Sequence, residues 1–209
     1  MASKTSLLSA IANRRTIYDL TATSPIPDSR IIDIVQHITL HVPSPFNSQS
    51  ARFLILLREE HQRLWDQARS IMSQVLPETV FTTYFAPMIA KYRGGYGTIL
   101  CFEDQATVAA LAKQYDGIIP QDKFQQWSEH SAGMHQFALW CALEAEELGA
   151  NLQHYNPNID GMVRQTWSVS PDWALKAQLV FGTPADDARN NLKEKEVKPL
   201  EERVLVKGT

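Results

Sequence analysis

Residues 43–53 have the sequence Pro-Ser-Pro-Phe-Asn-Ser-Gln-Ser-Ala-Arg-Phe, and they join an apolar helical pattern to an apolar strand pattern. Hydroxyl and carboxamide side chains dominate this segment, and they offer many short, uncharged hydrogen-bond donors and acceptors. Such a set suits a flat heterocycle whose rim carries carbonyl groups and ring nitrogens. The alternative is a plain polar connection bounded by prolines. The segment therefore predicts either a ligand-binding loop or an ordinary loop.

The patterns on both sides of this loop predict a mixed fold of helices and short strands. Helical spacing of apolar residues predicts helices over residues 3–13, from Pro27 and Asp28 up to the loop, and from Pro120 to Gly149 as the C′ residue. The charged segment over residues 59–74 predicts a further helix. Short apolar runs predict strands over residues 53–57, 98–102 and 177–181. Residues 94–97, Gly-Gly-Tyr-Gly, predict a turn rather than a phosphate loop, because no strand precedes them.

The composition is that of an ordinary globular chain of 209 residues, with 44% hydrophobic and 21% charged residues. This length suits one domain with a sizeable core. A net charge of −3 argues against general binding to nucleic acid or to an acidic membrane. The first residues are too polar for a secretory signal, and no run of about 18 apolar residues occurs, so we expect an intracellular protein, in the cytoplasm or also in the nucleus. Cys101 and Cys141 lack CxxC spacing, which predicts reduced core residues and no metal site.

The C-terminal segment predicts an arm rather than a further domain. Residues 184–199 are charged and lack apolar periodicity, and a strand signal returns only at Arg203–Val206. A terminal strand on a polar tether needs a sheet edge for pairing. That edge can belong to the same chain or to a neighbour, so the pattern is compatible with strand exchange in a dimer.

Four blocks in this order resemble the flavin-dependent nitroreductase family and span nearly the whole chain. They are Ala-Ile-Ala-Asn-Arg-Arg-Thr at residues 10–16, Pro43-Ser44-x-x-Asn47-Ser48-Gln49 before a strand, residues 144–155, and residues 173–184. Residues 149–157 and 173–178 are similar to a fungal-type branch known for fatty-acid repression mutant proteins. The resemblance implies an α+β, three-layer sandwich in which helices flank a mostly antiparallel sheet. It also implies one FMN-binding domain over residues 1–209, with an arm at 184–209 whose last strand is exchanged in a homodimer.

The resemblance also implies FMN at the dimer interface and assigns its contacts. Arg14, Arg15 and Thr16 would contact the phosphate, the ribityl chain or the ring edge. The alternative for the two arginines is that they only stabilise the negative end of the dipole of the preceding helix. The other residues it implies are Ser44, Asn47 and Gln49 for the ring and ribityl chain, Gln153 and His154 near flavin N5, and Lys195 and Lys198 as further phosphate anchors. A solvated charge run is the alternative for the two lysines.

Two departures from the family pattern bear on the flavin's chemistry. Tyr18 occupies a position at which the family often has a cation. Such a cation would favour the reduced, anionic flavin. Residues 152–155 carry no carboxylate near the expected N5 position. No catalytic side chain is implied, because N5 itself carries the hydride; His154 is only a secondary candidate for a proton donor.

The function that the resemblance implies is transfer of two electrons from NAD(P)H to nitroaromatic or quinone-like acceptors by a ping-pong cycle. No dinucleotide fingerprint occurs in the sequence, so both substrates would use the same flavin face in turn. Two alternatives stay open: a flavin-binding regulatory protein of lipid or oxidative-stress signalling with little turnover, and a ligand-binding module without flavin. Two or three of six aromatic residues are expected to reach the pocket: Tyr84, Phe85, Tyr92, Tyr96, Phe124 and Trp127.

Overall fold

The computed structural model describes residues 6–208 as alternating helices and short strands. The helices are α1 (Leu7–Asn13), α2 (Asp28–His41), α3 (Arg58–Val75), α4 (Glu78–Val80), α5 (Ala86–Arg93), α6 (Gln105–Gln114), α7 (Asp122–Ala145) and α8 (Asp160–Trp167). The strands are β1 (Leu20–Thr21), β2 (Ala51–Leu57), β3 (Gly97–Asp104), β4 (Gly149–Gln153) and β5 (Trp173–Pro184). A π-helical turn over Phe81–Phe85 joins α4 to α5. None of the helices in residues 6–208 has the length and apolar character needed to cross a membrane.

The sheet is built around its longest strand, β5. This strand pairs antiparallel with β3 and with β4, and its last two residues pair with β1. The strand β2 pairs antiparallel with β3. A single parallel bridge joins Thr16 to Ala150 of β4. The sheet is therefore mostly antiparallel, as predicted.

The two faces of the sheet pack against different helices because side chains alternate along each strand. In β3, Leu100 and Phe102 join one core cluster, to which α3, α5 and α8 contribute. Ile99 and Cys101 join the other cluster, to which α2 and α7 contribute. Helices thus cover both faces, and the predicted α+β three-layer class is confirmed.

The helix predicted to end with Gly149 ends earlier, and that part of the sequence interpretation is wrong. Helix α7 stops at Ala145, and Glu147 adopts a left-handed φ of 67°. Gly149 opens β4 instead, where a Cβ would lie only 2.9 Å from Leu20 Cδ2. Close packing, not a helix end, therefore requires glycine at position 149. At the N-terminus, Ser6 caps α1 by accepting a hydrogen bond from the Ser9 N–H group, whereas residues 3–5 of the predicted helix lie outside the described residues.

Residues 185–208 of the C-terminal arm form no strand within their own chain. Leu200–Glu202 form a 3₁₀ turn, and Val204, Leu205 and Val206 are 59%, 81% and 64% exposed. The described sheet offers an edge for such a strand, because β2 pairs only with β3 there. A groove of about 510 Å³ between α2 and this edge is lined by apolar side chains such as Ile32, Leu40 and Ile55. Strand exchange is consistent with this arrangement and stays a prediction.

Candidate functional site

The cations that follow α1 are held against the body of the protein. The guanidinium carbon of Arg14 lies 4.4 Å from the ring centre of Trp140 in α7. Arg15 donates a hydrogen bond to the carbonyl of Lys193 in the arm. Thr16 forms its bridge to β4, and the next N–H group, from Ile17, donates to the Ala150 carbonyl over 3.0 Å. Cations that only stabilise the negative end of the α1 dipole would need none of these contacts.

Arg14, Arg15 and Thr16 line a cavity of about 420 Å³ together with residues 194–197 of the arm; we call it the cationic cavity. Lys195 is one of these residues, and its ammonium group donates to the carbonyl of Ala12 at the end of α1. Three cationic side chains therefore meet at one cavity, together with the carboxylates of Glu194 and Glu196. Lys198 is exposed and is not among the residues that line it.

Thr16 also lines a neighbouring cavity of about 450 Å³, which we call the Tyr18 cavity. Tyr18 is 40% exposed, and its ring centre lies 6.3 Å from that of Tyr92. Lys91, from the last turn of α5, lines the same cavity and pairs with Asp19 at 2.8 Å. The sequence analysis missed Lys91, because only the fold brings α5 beside the segment after α1.

The end of β4 is connected to the same segment by side-chain hydrogen bonds. Gln153 donates to the Asn151 side chain over 2.8 Å, and Asn151 donates to the Ile17 carbonyl over 2.9 Å. His154 follows directly and is exposed. The fold therefore connects Gln153 through Asn151 to Ile17, the residue after Thr16.

The polar loop at residues 43–50 has an unusual and well-anchored backbone. Phe46, Asn47 and Gln49 have φ values of 51°, 52° and 51°, a region that non-glycine residues seldom adopt. The N–H group of Gln49 donates to Ser44 Oγ over 2.9 Å, and Arg52 donates to the Gln49 carbonyl over 2.7 Å. Strained conformations persist where the surroundings enforce them, often at ligand sites. This geometry favours the ligand-binding interpretation of the loop.

Ser44, Asn47 and Gln49 line a third cavity of about 420 Å³, the loop cavity, to which Arg52 and His135 also contribute. It shares no lining residue with the cationic cavity. Within one chain, the predicted loop residues and the predicted cationic residues thus belong to different cavities.

A buried carboxyl group lies behind the loop. Glu103 of β3 is fully buried, and one of its oxygens accepts hydrogen bonds from Ser50 and from Ser128, the latter over 2.7 Å. Burial raises the pKa of Glu103, and the two serine hydroxyls oppose this shift only in part. The sequence analysis did not single out Glu103, because a glutamate at the end of a strand gives no local sign of burial.

The six aromatic residues occupy different environments. Tyr92, Tyr96 and Phe124 are buried, Phe85 and Trp127 are half-buried, and Tyr84 is 67% exposed. Burial raises the pKa of Tyr92 to about 12, so this phenol stays neutral beside Tyr18. The rings of Phe124 and Trp127 lie 6.4 and 6.0 Å from that of Phe46 in the polar loop.

An antiparallel sheet between two helical layers, with a cationic cavity beside β4, is the arrangement of nitroreductase-type oxidoreductases. The chain belongs to the nitroreductase family, whose sequence profile matches residues 11–183. It is 33% identical over 186 residues to the nitroreductase FRM2 of Saccharomyces cerevisiae, covering 85% of this chain and 87% of that protein. The family and its fungal-type branch, predicted from the sequence, are thereby confirmed.

Solved structures agree with this assignment. The nitroreductase CinD from Lactococcus lactis is 34% identical and superimposes with a TM-score of 0.85 over 97% of this chain and 100% of its own. A nitroreductase-fold protein from Desulfovibrio desulfuricans is 19% identical, with a TM-score of 0.67 over 99% of each chain. The second similarity concerns the fold alone.

Proposed function

We propose that the protein is an FMN-dependent nitroreductase that takes two electrons from NAD(P)H and passes them to nitroaromatic or quinone-like acceptors by a ping-pong cycle. It acts as a homodimer of one-domain subunits, with FMN bound at the interface. The observation that carries the proposal is the division of the predicted contacts between the cationic cavity and the loop cavity of each chain. Two copies, each supplying one set, complete a site that one copy lacks.

The residues of the cationic cavity fit a phosphate group. Arg14 and Arg15 can form bidentate, charge-assisted hydrogen bonds, and Lys195 adds a third positive charge, so the positive charges exceed the two negative charges of Glu194 and Glu196 by one. Trp140 restrains the Arg14 guanidinium, which reduces the conformational entropy lost on binding. Lys198 would reach the phosphate only after the arm moves, because its side chain is exposed away from the cavity lining.

The neighbouring Tyr18 cavity suits the pyrimidine side of a flavin ring. The Thr16 hydroxyl and the Lys91 ammonium can donate to ring oxygens and nitrogens, and Lys91 supplies the positive charge that Tyr18 lacks. Asp19 pairs with Lys91 and Asp186 lines the same cavity, so this lining carries one positive and two negative side chains. When bound, FMN supplies the ring atom that accepts the hydride. Gln153 and its backbone would orient that part of the ring, and the exposed His154 can exchange a proton with water or substrate.

The ligands of relatives support the substrate classes. Structures of CinD contain 4-nitrophenol and chloramphenicol, which are both nitroaromatic compounds. Another contains nicotinic acid, whose ring resembles that of nicotinamide. The Desulfovibrio desulfuricans protein was solved with FMN. Nitroaromatic acceptors, a nicotinamide donor and FMN are thus the first compounds to test.

Absorption spectroscopy and steady-state kinetics test the proposal together. The purified protein, supplied with FMN if colourless, should retain flavin through gel filtration as a dimer. It should then oxidise NADH or NADPH with 4-nitrophenol or a benzoquinone much faster than free FMN does, with the parallel double-reciprocal plots of a ping-pong cycle. A protein that retains no flavin would contradict the proposal.

A regulatory flavoprotein is the second candidate, because Tyr18 replaces a family cation and residues 152–155 are uncharged. Such a protein would retain FMN and form the same dimer. Its NAD(P)H oxidation would not exceed that of free FMN with any of these acceptors, and this result would favour the regulatory role.

A further inference from the structure

The polar loop enters the core at Ser50. This residue is fully buried, whereas Gln49 before it is exposed. The Ser50 carbonyl oxygen accepts a hydrogen bond from the Asp104 N–H group over 2.9 Å, and the Ser50 hydroxyl donates to the side chain of Glu103. Burial of a polar side chain is unfavourable unless hydrogen bonds compensate it. The bond to Glu103 therefore stabilises the position at which the chain leaves the surface.

Glu103 joins the loop to α7. Its Oε2 atom accepts from Ser50 and also from the Ser128 hydroxyl, the latter over 2.7 Å. Its Oε1 atom is buried and has no hydrogen-bond partner among residues 6–208. Within the described part of the chain, the hydrogen bonds of this carboxyl group thus come from two hydroxyls, one in the loop and one in the helix beneath it.

This arrangement suits an uncharged carboxyl group. An ionised carboxylate would leave a partly charged, buried oxygen at Oε1 without a donor from the described residues, and an unpaired buried charge is costly. In agreement, burial raises the pKa of Glu103, although the two hydroxyls and the nearby His135 and Lys176 oppose the shift. Because the group accepts hydrogen bonds without needing a charge, a carboxamide oxygen can replace it.

The strained part of the loop needs an anchor from outside the loop. Gln49 has a φ of 51°, which is unfavourable for a residue with a side chain and persists only where the surroundings enforce it. Two contacts of its backbone, with Ser44 and Arg52, come from within five positions in the sequence. Glu103 instead connects the next residue to β3 and α7, which the core holds in place.

We propose that Glu103 is a positioning residue for FMN: by holding Ser50, it keeps the polar loop in the strained form that shapes the loop cavity. The inference rests on the proposed function, in which this cavity contacts the flavin. Glu103 is fully buried and is not among the residues that line the loop cavity, so it acts through Ser50 and does not touch FMN.

FMN titrations followed by flavin fluorescence separate the acceptor from the packing of the side chain. Ser50→Ala removes the donor and Glu103→Met removes the acceptor, and each should weaken FMN binding about tenfold. Glu103→Gln keeps an acceptor oxygen, so its affinity should stay within about twofold of the wild type. Thr98→Val is a matched control, because it removes a buried hydrogen bond from Trp65 elsewhere on β3 and should leave FMN affinity unchanged.

The double variant Ser50→Ala/Glu103→Met distinguishes positioning from a general loss of packing. If Glu103 acts only through Ser50, the second substitution adds nothing and the double variant also binds about tenfold more weakly. Independent effects would multiply to about a hundredfold, and this result would overturn the inference. Unchanged affinity in Glu103→Met, or an equal loss in Glu103→Gln, would overturn it as well.

If Glu103→Met does not fold, amide hydrogen exchange of the flavin-free proteins provides the test. The Gln49 N–H group, which is bonded to Ser44, should exchange about tenfold faster in Ser50→Ala than in the wild type, and at the wild-type rate in Glu103→Gln. Equal exchange in Ser50→Ala and the wild type would overturn the inference. A wild type that binds no FMN would instead refute the proposed function, which distinguishes the two failures.

Discussion

Among the residues proposed to bind the cofactor, Arg14 gives the clearest test, because Trp140 holds its guanidinium group in place. Replacing Arg14 with Ala removes a charge-assisted contact and should weaken FMN binding by about 1.5–3 kcal/mol, or roughly ten- to a hundredfold. Lysine should rescue only part of this loss, because it lacks the planar guanidinium. Arg63→Ala is a matched control, since Arg63 is exposed and, among the described residues, forms an ion pair only with Glu60, at 3.6 Å. Equal FMN affinity of Arg14→Ala and the wild type in a fluorescence titration would show that Arg14 does not bind FMN and serves only as a cation at the end of α1.

His61 makes a separate residue-scale prediction about stability. Burial lowers the pKa of His61 from 6.5 to about 4, and the side chain is fully buried beside Thr98, with Nδ1 2.8 Å from Thr98 Oγ1. The unfolded chain therefore takes up a proton between these values, and the folded chain does not. The contribution of His61 to the free energy of unfolding is present above pH 6.5 and is lost as the pH falls toward 4, by about 2 kcal/mol between pH 7 and pH 5.

Urea unfolding of the flavin-free protein at pH 7 and pH 5 measures this effect. His61→Asn keeps a polar group near Thr98 and does not titrate in the range, so it should lose about 2 kcal/mol less than the wild type on acidification. Identical pH dependence in both proteins would mean that His61 is already protonated or solvated in the fold.

At the scale of elements, Glu103 connects β3 to both the polar loop and α7 through Ser50 and Ser128. Burial raises its pKa above the ordinary value of 4.5. The contribution of Glu103 to stability is therefore complete below that value and is lost as the pH rises through the raised pKa. Glu103→Gln, which cannot ionise, should gain stability relative to the wild type as the pH is raised from 5 to 8. A pH-independent difference in the free energy of unfolding would contradict this prediction.

The arm is the second element with a testable role. Removing residues 198–209 deletes the exposed apolar side chains of Val204, Leu205 and Val206, so it should raise the dissociation constant of the dimer and reduce FMN retention together. Leu205→Asp, in an otherwise complete arm, should have the same effects in weaker form. Sedimentation equilibrium and gel filtration with absorbance detection measure both properties. A truncated protein that stays dimeric and yellow would argue against strand exchange.

Regular patterns within short stretches of the sequence predicted several helices and strands correctly. The regular apolar spacing of α2 and the apolar runs of β3 and β5 identified these elements before the structure did. The strand β4 was missed as a strand, because Gly149–Gln153 contains glycine and two carboxamides and forms only through pairing with β5.

The predicted site residues were those carried by short motifs, whereas the missed ones depend on contacts between distant segments. Lys91 comes beside Tyr18 only through the packing of α5, and His135 reaches the loop cavity only because α7 lies under the loop. Neither position has a distinctive neighbour in sequence. Residues of this kind become visible only when the fold is known.

At the scale of the whole molecule, the proposed site is divided between two copies of the chain. The cationic cavity and the loop cavity share no lining residue, and under the proposal one flavin lies between the cationic cavity of one copy and the loop cavity of the other. We expect the proposed dimer to cover exposed apolar side chains of α7 such as Met134 and Phe137.

Mixing two defective homodimers tests this central claim most directly. Arg14→Ala/Arg15→Ala removes the cationic half, and Asn47→Ala/Gln49→Ala removes the loop half; each homodimer alone should bind little FMN. After subunit exchange, half of the dimers are mixed and each has one intact site, so FMN titration should recover about a quarter of the wild-type sites. If exchange is complete by mass spectrometry and no FMN binding returns, each flavin is bound within a single chain and the shared site is refuted.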